Sequence, residues 1–241
     1  MIFRPYYHFE TGCAAYLFGC GGLGKCAVVD PLERDVENYL TFAAEKSMKI
    51  THVIDTHIHA DHRSGGRMLA ERAGASYCLH ASANVDFPFT PLHDGDEIEL
   101  GNTRIRVLHT PGHTDESLCL VATDLRRGPE PWFVLTGDTL FTGAVGRPDL
   151  PGDADRQAEL LYRSLQKLMT LPADLEVYPA HFLGSACGAG MSGKPSSTLA
   201  FERRFNPLLA LPVAAFVKAV TEVRAKPVDM AGILAFNAGR A

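Results

Sequence analysis

Hydrophobic positions along the chain follow two rhythms, one of period two and one of period near 3.6. Residues 2–30 carry short β-prone runs broken by turn residues, and the run from Cys13 to Cys20 is almost wholly apolar. Such runs predict strands buried on both faces. Gly21, Gly22 and Gly24 predict a hairpin turn before an apolar strand over 26–31; a phosphate loop is disfavoured because no Gly-Lys-Ser/Thr follows. Over 34–47 the rhythm changes. Val36, Tyr39, Leu40 and Ala43 share one face at helical spacing, which predicts an amphipathic helix.

A strand over 50–55, a helix over 65–73 and a strand over 76–80 come next. Residues 96–100 and 103–109 flank Gly101-Asn102 and predict a hairpin. Strands over 118–123 and 132–135 enclose a polar loop at 126–131. A helix over 153–169, with Asp153 as N-cap, leads to a strand over 175–178. Residues 183–197 are Gly- and Ser-rich and read as a loop, and 196–205 and 213–224 read as helices. Strands in runs, then strands alternating with helices, predict an α/β (α+β) fold of two sheets with outer helices. No repeat or linker interrupts the chain. It reads as a single domain over 1–241, with 183–241 as a C-terminal loop and helical tail.

Composition narrows the function. With 46% apolar residues over 241 positions the chain can bury a sizeable core, and 21% charge is too little for wholesale disorder. The net charge of −5, without a Lys/Arg block, argues against nucleic acid as a partner. The most apolar stretch, 208–217, is short and broken by Pro212, so no membrane span is expected. The N-terminal residues lack a signal-peptide apolar core. Six scattered cysteines contain no Cys-x-x-Cys pair and read as reduced thiols of a cytoplasmic protein.

The chemistry begins at Thr56-His57-Ile58-His59-Ala60-Asp61-His62, directly after an apolar strand. Three imidazoles and a carboxylate in six residues are costly to bury without a metal or partners. In an extended segment alternate residues point the same way, so His57, His59 and Asp61 are expected to converge. His113 (Thr110-Pro111-Gly112-His113), Asp138 (Gly137-Asp138) and His181 (Pro179-Ala180-His181) repeat the same grammar. In each, a ligand-type residue stands at the carboxyl end of an apolar strand, where α/β folds build sites.

In this order these landmarks resemble the metallo-β-lactamase superfamily. The resemblance implies a four-layer αβ/βα sandwich of two mixed sheets with outer helices and a metal site between the sheet edges. Within it, Gly146-Arg147-Pro148-Asp149, Tyr178-Pro179-Ala180-His181, Gly184-Ser185-Ala186-Cys187-Gly188 and Glu202-Arg203-Arg204-Phe205-Asn206-Pro207 look like the persulfide dioxygenase branch. Asp115-Glu116-Ser117 departs from the Pro-Gly that many relatives carry after Gly-His-Thr, which bears on the thiol carrier.

That branch implies one Fe(II) per chain on His57, His113 and Asp138. His59, Asp61, His62 and His181 would then be supporting groups. A low-molecular-weight thiol persulfide, such as glutathione persulfide, would react with O2 to give sulfite and thiol. The resemblance also points to a homodimer. The glyoxalase II branch implies instead a dinuclear zinc thioester hydrolase, with His57, His59 and His113 on one metal, Asp61, His62 and His181 on the other and Asp138 bridging. Arg147 either holds the loop after Asp138 by pairing with Asp149 or forms a surface salt bridge of little worth. Cys187 either contacts sulfane sulfur or is an idle thiol.

Overall fold

The structure is a computed structural model that describes residues 1–150, 152–183, 190–222 and 227–240. The first half of the chain builds one sheet. Strands β1 (Ile2–His8), β2 (Cys13–Cys20) and β3 (Lys25–Val29) form an antiparallel meander. Helix α1 (Val36–Glu45) crosses to β4 (Lys49–Ile54), and α2 (Gly66–Ala73) crosses to β5 (Ser76–His80), before β6 (Thr90–Leu92) at the edge. From β3 to β6 the strands run parallel.

The second sheet follows. Strands β7 (Glu97–Leu100), β8 (Thr103–His109), β9 (Leu118–Asp124) and β10 (Phe133–Gly137) pair antiparallel. Helix α3 (Ala154–Leu168) returns the chain to β11 (Glu176–Pro179), which pairs parallel to β10, and β12 (Ser197–Thr198) closes the edge. The Asp153 side chain accepts from Arg156 N at 3.1 Å and caps α3 as its position predicts. The tail adds α4 (Leu199–Phe205), α5 (Val213–Val220) and α6 (Met230–Asn237).

Period-two alternation explains the layering. Tyr16, Phe18, Val29 and Ile54 face inward and meet Ile105, Val107, Leu120 and Phe133 of the other sheet. Their neighbours Leu17, Val28 and Val53 face outward onto Tyr39, Phe42 and Leu69 of α1 and α2. On the far side Cys119, Val121, Val134 and Val177 pack on Leu161, Leu165 and Phe216. Each such large side chain contributes about 1.5–3 kcal/mol on burial. Strands buried on both faces have to be apolar throughout, and the result is the two-sheet, four-layer sandwich.

Boundaries differ from expectation in the tail. α4 starts at Leu199 because Ser197 and Thr198 pair with β11, and Thr198 Oγ1 caps the helix from outside. α5 ends at Val220, ahead of the expected 224. β6 and α6 carry no prediction. Pro91 hides the first, and α6 has almost no one-sided pattern, being apolar nearly all round with Gly232 inside it.

Candidate metal centre

The carboxyl ends of β3, β4, β8, β10 and β11 deliver the site. His57 lies just beyond β4, His113 beyond β8, Asp138 directly after β10 and His181 after β11. The side chains of His57, His113 and Asp138 are all essentially buried. Asp138 Oδ2 lies 3.4 Å from His113 Nε2 and 3.8 Å from His57 Nε2. None of these three atoms has a hydrogen-bond partner among the described residues.

The opposite ends of the rings explain why. His57 Nδ1 contacts Thr56 Oγ1 at 3.0 Å, and Thr56 Oγ1 donates to the Asp30 carboxylate. His113 Nδ1 donates to the Arg147 carbonyl at 2.8 Å. A carbonyl or carboxylate only accepts, so each Nδ1 carries the proton and each Nε2 offers a lone pair. Burial, then the neighbouring His59, holds the His57 imidazole well below its usual range and therefore neutral. Burial alone would raise Asp138, but His181 and His57 outweigh it and keep the carboxyl below the usual carboxylate range. Two imidazoles and one carboxylate, buried with their donor atoms free, fit a divalent metal.

The expected convergence of His57, His59 and Asp61 is partial: the His57 and His59 ring centroids lie 4.2 Å apart, while Asp61 joins another group of donor atoms. The segment after β4 is a chain of bends, so alternation along an extended strand is lost. His59 turns its Nε2 onto Asp30 Oδ1 at 3.2 Å, within a buried group that also contains Asp55. His59 Nδ1 is buried without a partner; the donor atoms of His57, His113 and Asp138 lie within 4.8 Å of one another, and His59 falls in a separate such group with Asp30 and Asp55. Asp61 goes to a second cluster with His62, His181 and Cys13. There His181 Nε2 is 2.8 Å from Asp61 Oδ2, and His62 Nδ1 is 3.1 Å from Asp61 Oδ1. Burial opposes charge on His62, but Asp61 and Cys13 raise its pKa to about 10. Burial would raise the Cys13 thiol; His181 and His62 prevail and lower it to about 5.

Arg147 is buried, which sets it apart from a surface salt bridge. Its Nε and Nη2 both reach Asp149, each at 2.6 Å, while its carbonyl holds His113. A side chain at Gly146 would meet the Asp138 carbonyl oxygen at 1.9 Å, so only glycine lets this loop close over the site. Gly137 has φ +50 and stands 2.6 Å, at the Cβ position, from Thr56 Oγ1. Cys187 falls outside the described residues.

Three contributors escaped sequence reasoning. Asp30, in the left-handed region at φ 51, binds the Thr56 N–H and hydroxyl and His59 together. It ends β3, so the strand-end grammar contained the signal. Glu116 Oε1 accepts from Ile58 N at 2.9 Å. Asn237 Nδ2 donates to the carbonyls of His59 and His62 at 2.8 and 2.9 Å, and its Oδ1 accepts from Ser64 N. An apolar cavity of about 440 Å³ lies between α6 and the loops after His57 and His113, lined by Ile58, Ala60, Thr114, Leu150 and Leu234.

The metallo-beta-lactamase superfamily profile matches residues 9–181. The mitochondrial persulfide dioxygenase ETHE1 of Homo sapiens is 30% identical over 206 residues, 84% of this chain and 74% of that protein. A hydroxyacylglutathione hydrolase of Francisella tularensis subsp. novicida is 33% identical over 64% of this chain and 57% of its own length. The crystal structure of ETHE1 from Myxococcus xanthus superposes with a TM-score of 0.83 at 31% identity, covering all of both chains. Among the described residues no helix is long and apolar enough to cross a membrane.

Proposed function

Because the chain belongs to the metallo-β-lactamase superfamily, we propose that it is a non-heme iron persulfide dioxygenase. It holds one Fe(II) on His57, His113 and Asp138. It converts a low-molecular-weight thiol persulfide of the glutathione persulfide class, with O2 and water, to the thiol and sulfite. The four electrons released by the sulfur pass to O2. The observation that carries the reading is the buried trio of free donor atoms, the His57 and His113 Nε2 and the Asp138 Oδ2, mutually within 4.8 Å. Two imidazoles and one carboxylate are the ligand set of mononuclear iron oxygenases and leave open positions.

Iron, when bound, would supply the redox chemistry between the persulfide sulfur and O2. The chain's own residues set the conditions for it. A single ionised carboxylate among neutral imidazoles leaves one net positive charge with a divalent ion, suited to a monoanionic persulfide. Thr56 and the Arg147 carbonyl fix the proton on each Nδ1, and so the direction of each Nε2. The Arg147–Asp149 pair anchors the loop that carries this carbonyl. The apolar cavity under α6 offers room for the organic part of the thiol.

A dinuclear zinc thioester hydrolase is the second reading, favoured by the buried, unpartnered His59 Nδ1 and His62 Nε2. Metal analysis and O2 uptake separate the two. The dioxygenase reading expects about one iron per chain and O2 consumption with glutathione persulfide. Two zincs, no O2 uptake and rapid hydrolysis of S-lactoylglutathione would overturn it.

A further inference from the structure

After His113 the chain runs Thr114-Asp115-Glu116-Ser117, and the fold pins this turn from several sides. Thr114 N and Oγ1 both reach Ser117 Oγ, at 3.1 and 2.8 Å. The Asp115 carboxylate accepts from Gln157 Nε2 of α3 at 2.7 Å, and its carbonyl accepts from His109 Nε2 at 2.8 Å. Glu116 is carried on this fixed turn and is only 8% exposed. Its Oε1 accepts from Ile58 N at 2.9 Å. Its Oε2 has no hydrogen bond, and its carboxylate no ion pair, among the described residues. That oxygen is not sealed in, because Glu116 stands on the wall of the apolar cavity under α6.

Two residues decide the charge of this cavity. Most of its wall is alkyl, from Ile58, Ala60, Leu150 and Leu234; the charged side chains on it are Glu116 and Arg240. Arg240 is already engaged. Its Nε reaches Asp86 Oδ2 at 3.3 Å, and its Nη2 reaches the Asn84 carbonyl and Oδ1, each at 2.9 Å. Glu116 has no such counter-charge, so the unbalanced charge of the cavity is negative. A carboxylate withdrawn from water is costly unless it is paired. Holding Ile58 N does not require one, since an amide oxygen would accept the same bond. A few polar groups in an apolar pocket set which ligand it takes.

We propose that Glu116 is a specificity-determining residue that selects a thiol carrier bearing an ammonium group. The ammonium donates to Oε2, and the methylenes beside it cover the alkyl wall. A carrier that brings a carboxylate or phosphate to this wall meets like charge and is rejected. Glutathione offers such an ammonium; a carrier ending in phosphates does not. The proposal rests on the persulfide reading for the reacting group alone.

The test compares persulfides of ω-amino, ω-hydroxy and ω-carboxy alkanethiols with two, four and six carbons, given to the iron-loaded full chain. O2 uptake is expected to favour amino over carboxy carriers by about 10- to 100-fold in kcat/KM at one chain length or more, with hydroxy carriers between. In Glu116→Gln, which keeps an acceptor for Ile58 N, that preference is lost. The ratio is the readout because a general fall in activity does not move it. Calorimetry with the methyl thioethers of the same carriers is expected to give the same order of affinities without turnover. If no persulfide is oxidised, the persulfide reading fails and the thioether affinities still decide on Glu116. No preference for amino carriers at any length in the unsubstituted chain, or a preference that survives Glu116→Gln, overturns the proposal. The first of these outcomes is read whether or not the variant folds.

Discussion

His181 Nδ1 and Asp138 Oδ1 lie 2.7 Å apart, and this contact joins the two donor clusters. One carboxylate thus offers Oδ2 to the first cluster and Oδ1 to a ligand of the second. Replacing His181 with Ala leaves Oδ1 buried and unpaired and frees Asp138 to rotate. Iron affinity is expected to fall about 10- to 100-fold, measured by competition with a chelator. Unchanged affinity would show that the contact does not orient Asp138.

Asn237 is expected to act on the site through backbone alone. Asn237→Ala removes three hydrogen bonds to residues 59, 62 and 64. Each contributes roughly 1 kcal/mol net, so the loss is about 2–3 kcal/mol, or a melting temperature lower by about 4–10 °C. Iron retention under dialysis should weaken with it. A melting shift below 1 °C would refute the clamp.

Gly146→Ala is expected to harm the site more than the fold. The new Cβ meets a carbonyl oxygen of Asp138 rather than a flexible side chain, so the loop has to move, and His113 Nδ1 is only 3.2 Å away. Overpacking of this kind costs about 1–3 kcal/mol. O2 uptake at saturating persulfide should drop while the circular dichroism spectrum is retained.

The histidine pair at the β5 and β8 ends gives a pH prediction clear of the metal. His80 stacks on His109 with centroids 3.8 Å apart. Burial, then the charge of His109, lowers the His80 pKa to about 4. The folded state therefore binds fewer protons than the unfolded one below the unfolded value near 6.5. Stability is lost as pH falls from about 6.5 toward 4 and is flat above. Nuclear magnetic resonance titration should place His80 near that lower value, and His80→Gln should flatten the acid limb.

Legibility followed the physics of each element. Strands buried on both faces must be apolar, so β2, β3, β4, β9 and β10 were readable as runs. His57, His113, Asp138 and His181 were readable because each interrupts polar-poor sequence at a strand end. The division of labour within the histidine run was not, since it depends on bends after β4 and on Asp30. Asp30 offered a strand-end signal but sits far from the run. Asn237 and Cys13 had no local signal at all. Their partners are fixed by packing across the sandwich, and neither periodicity nor spacing records such contacts.

The clamp from Asn237 sets an order of events in the making of the protein. His59 accepts a hydrogen bond from a residue 178 positions later. While a nascent chain is still being synthesised, the loop bearing His57 to His62 has its strands and Asp30 but lacks the contacts that hold its carbonyls in place. Residues up to 237 must have left the ribosome before the loop is locked. Metal that arrives earlier meets an unclamped loop, so stable loading follows the docking of α6.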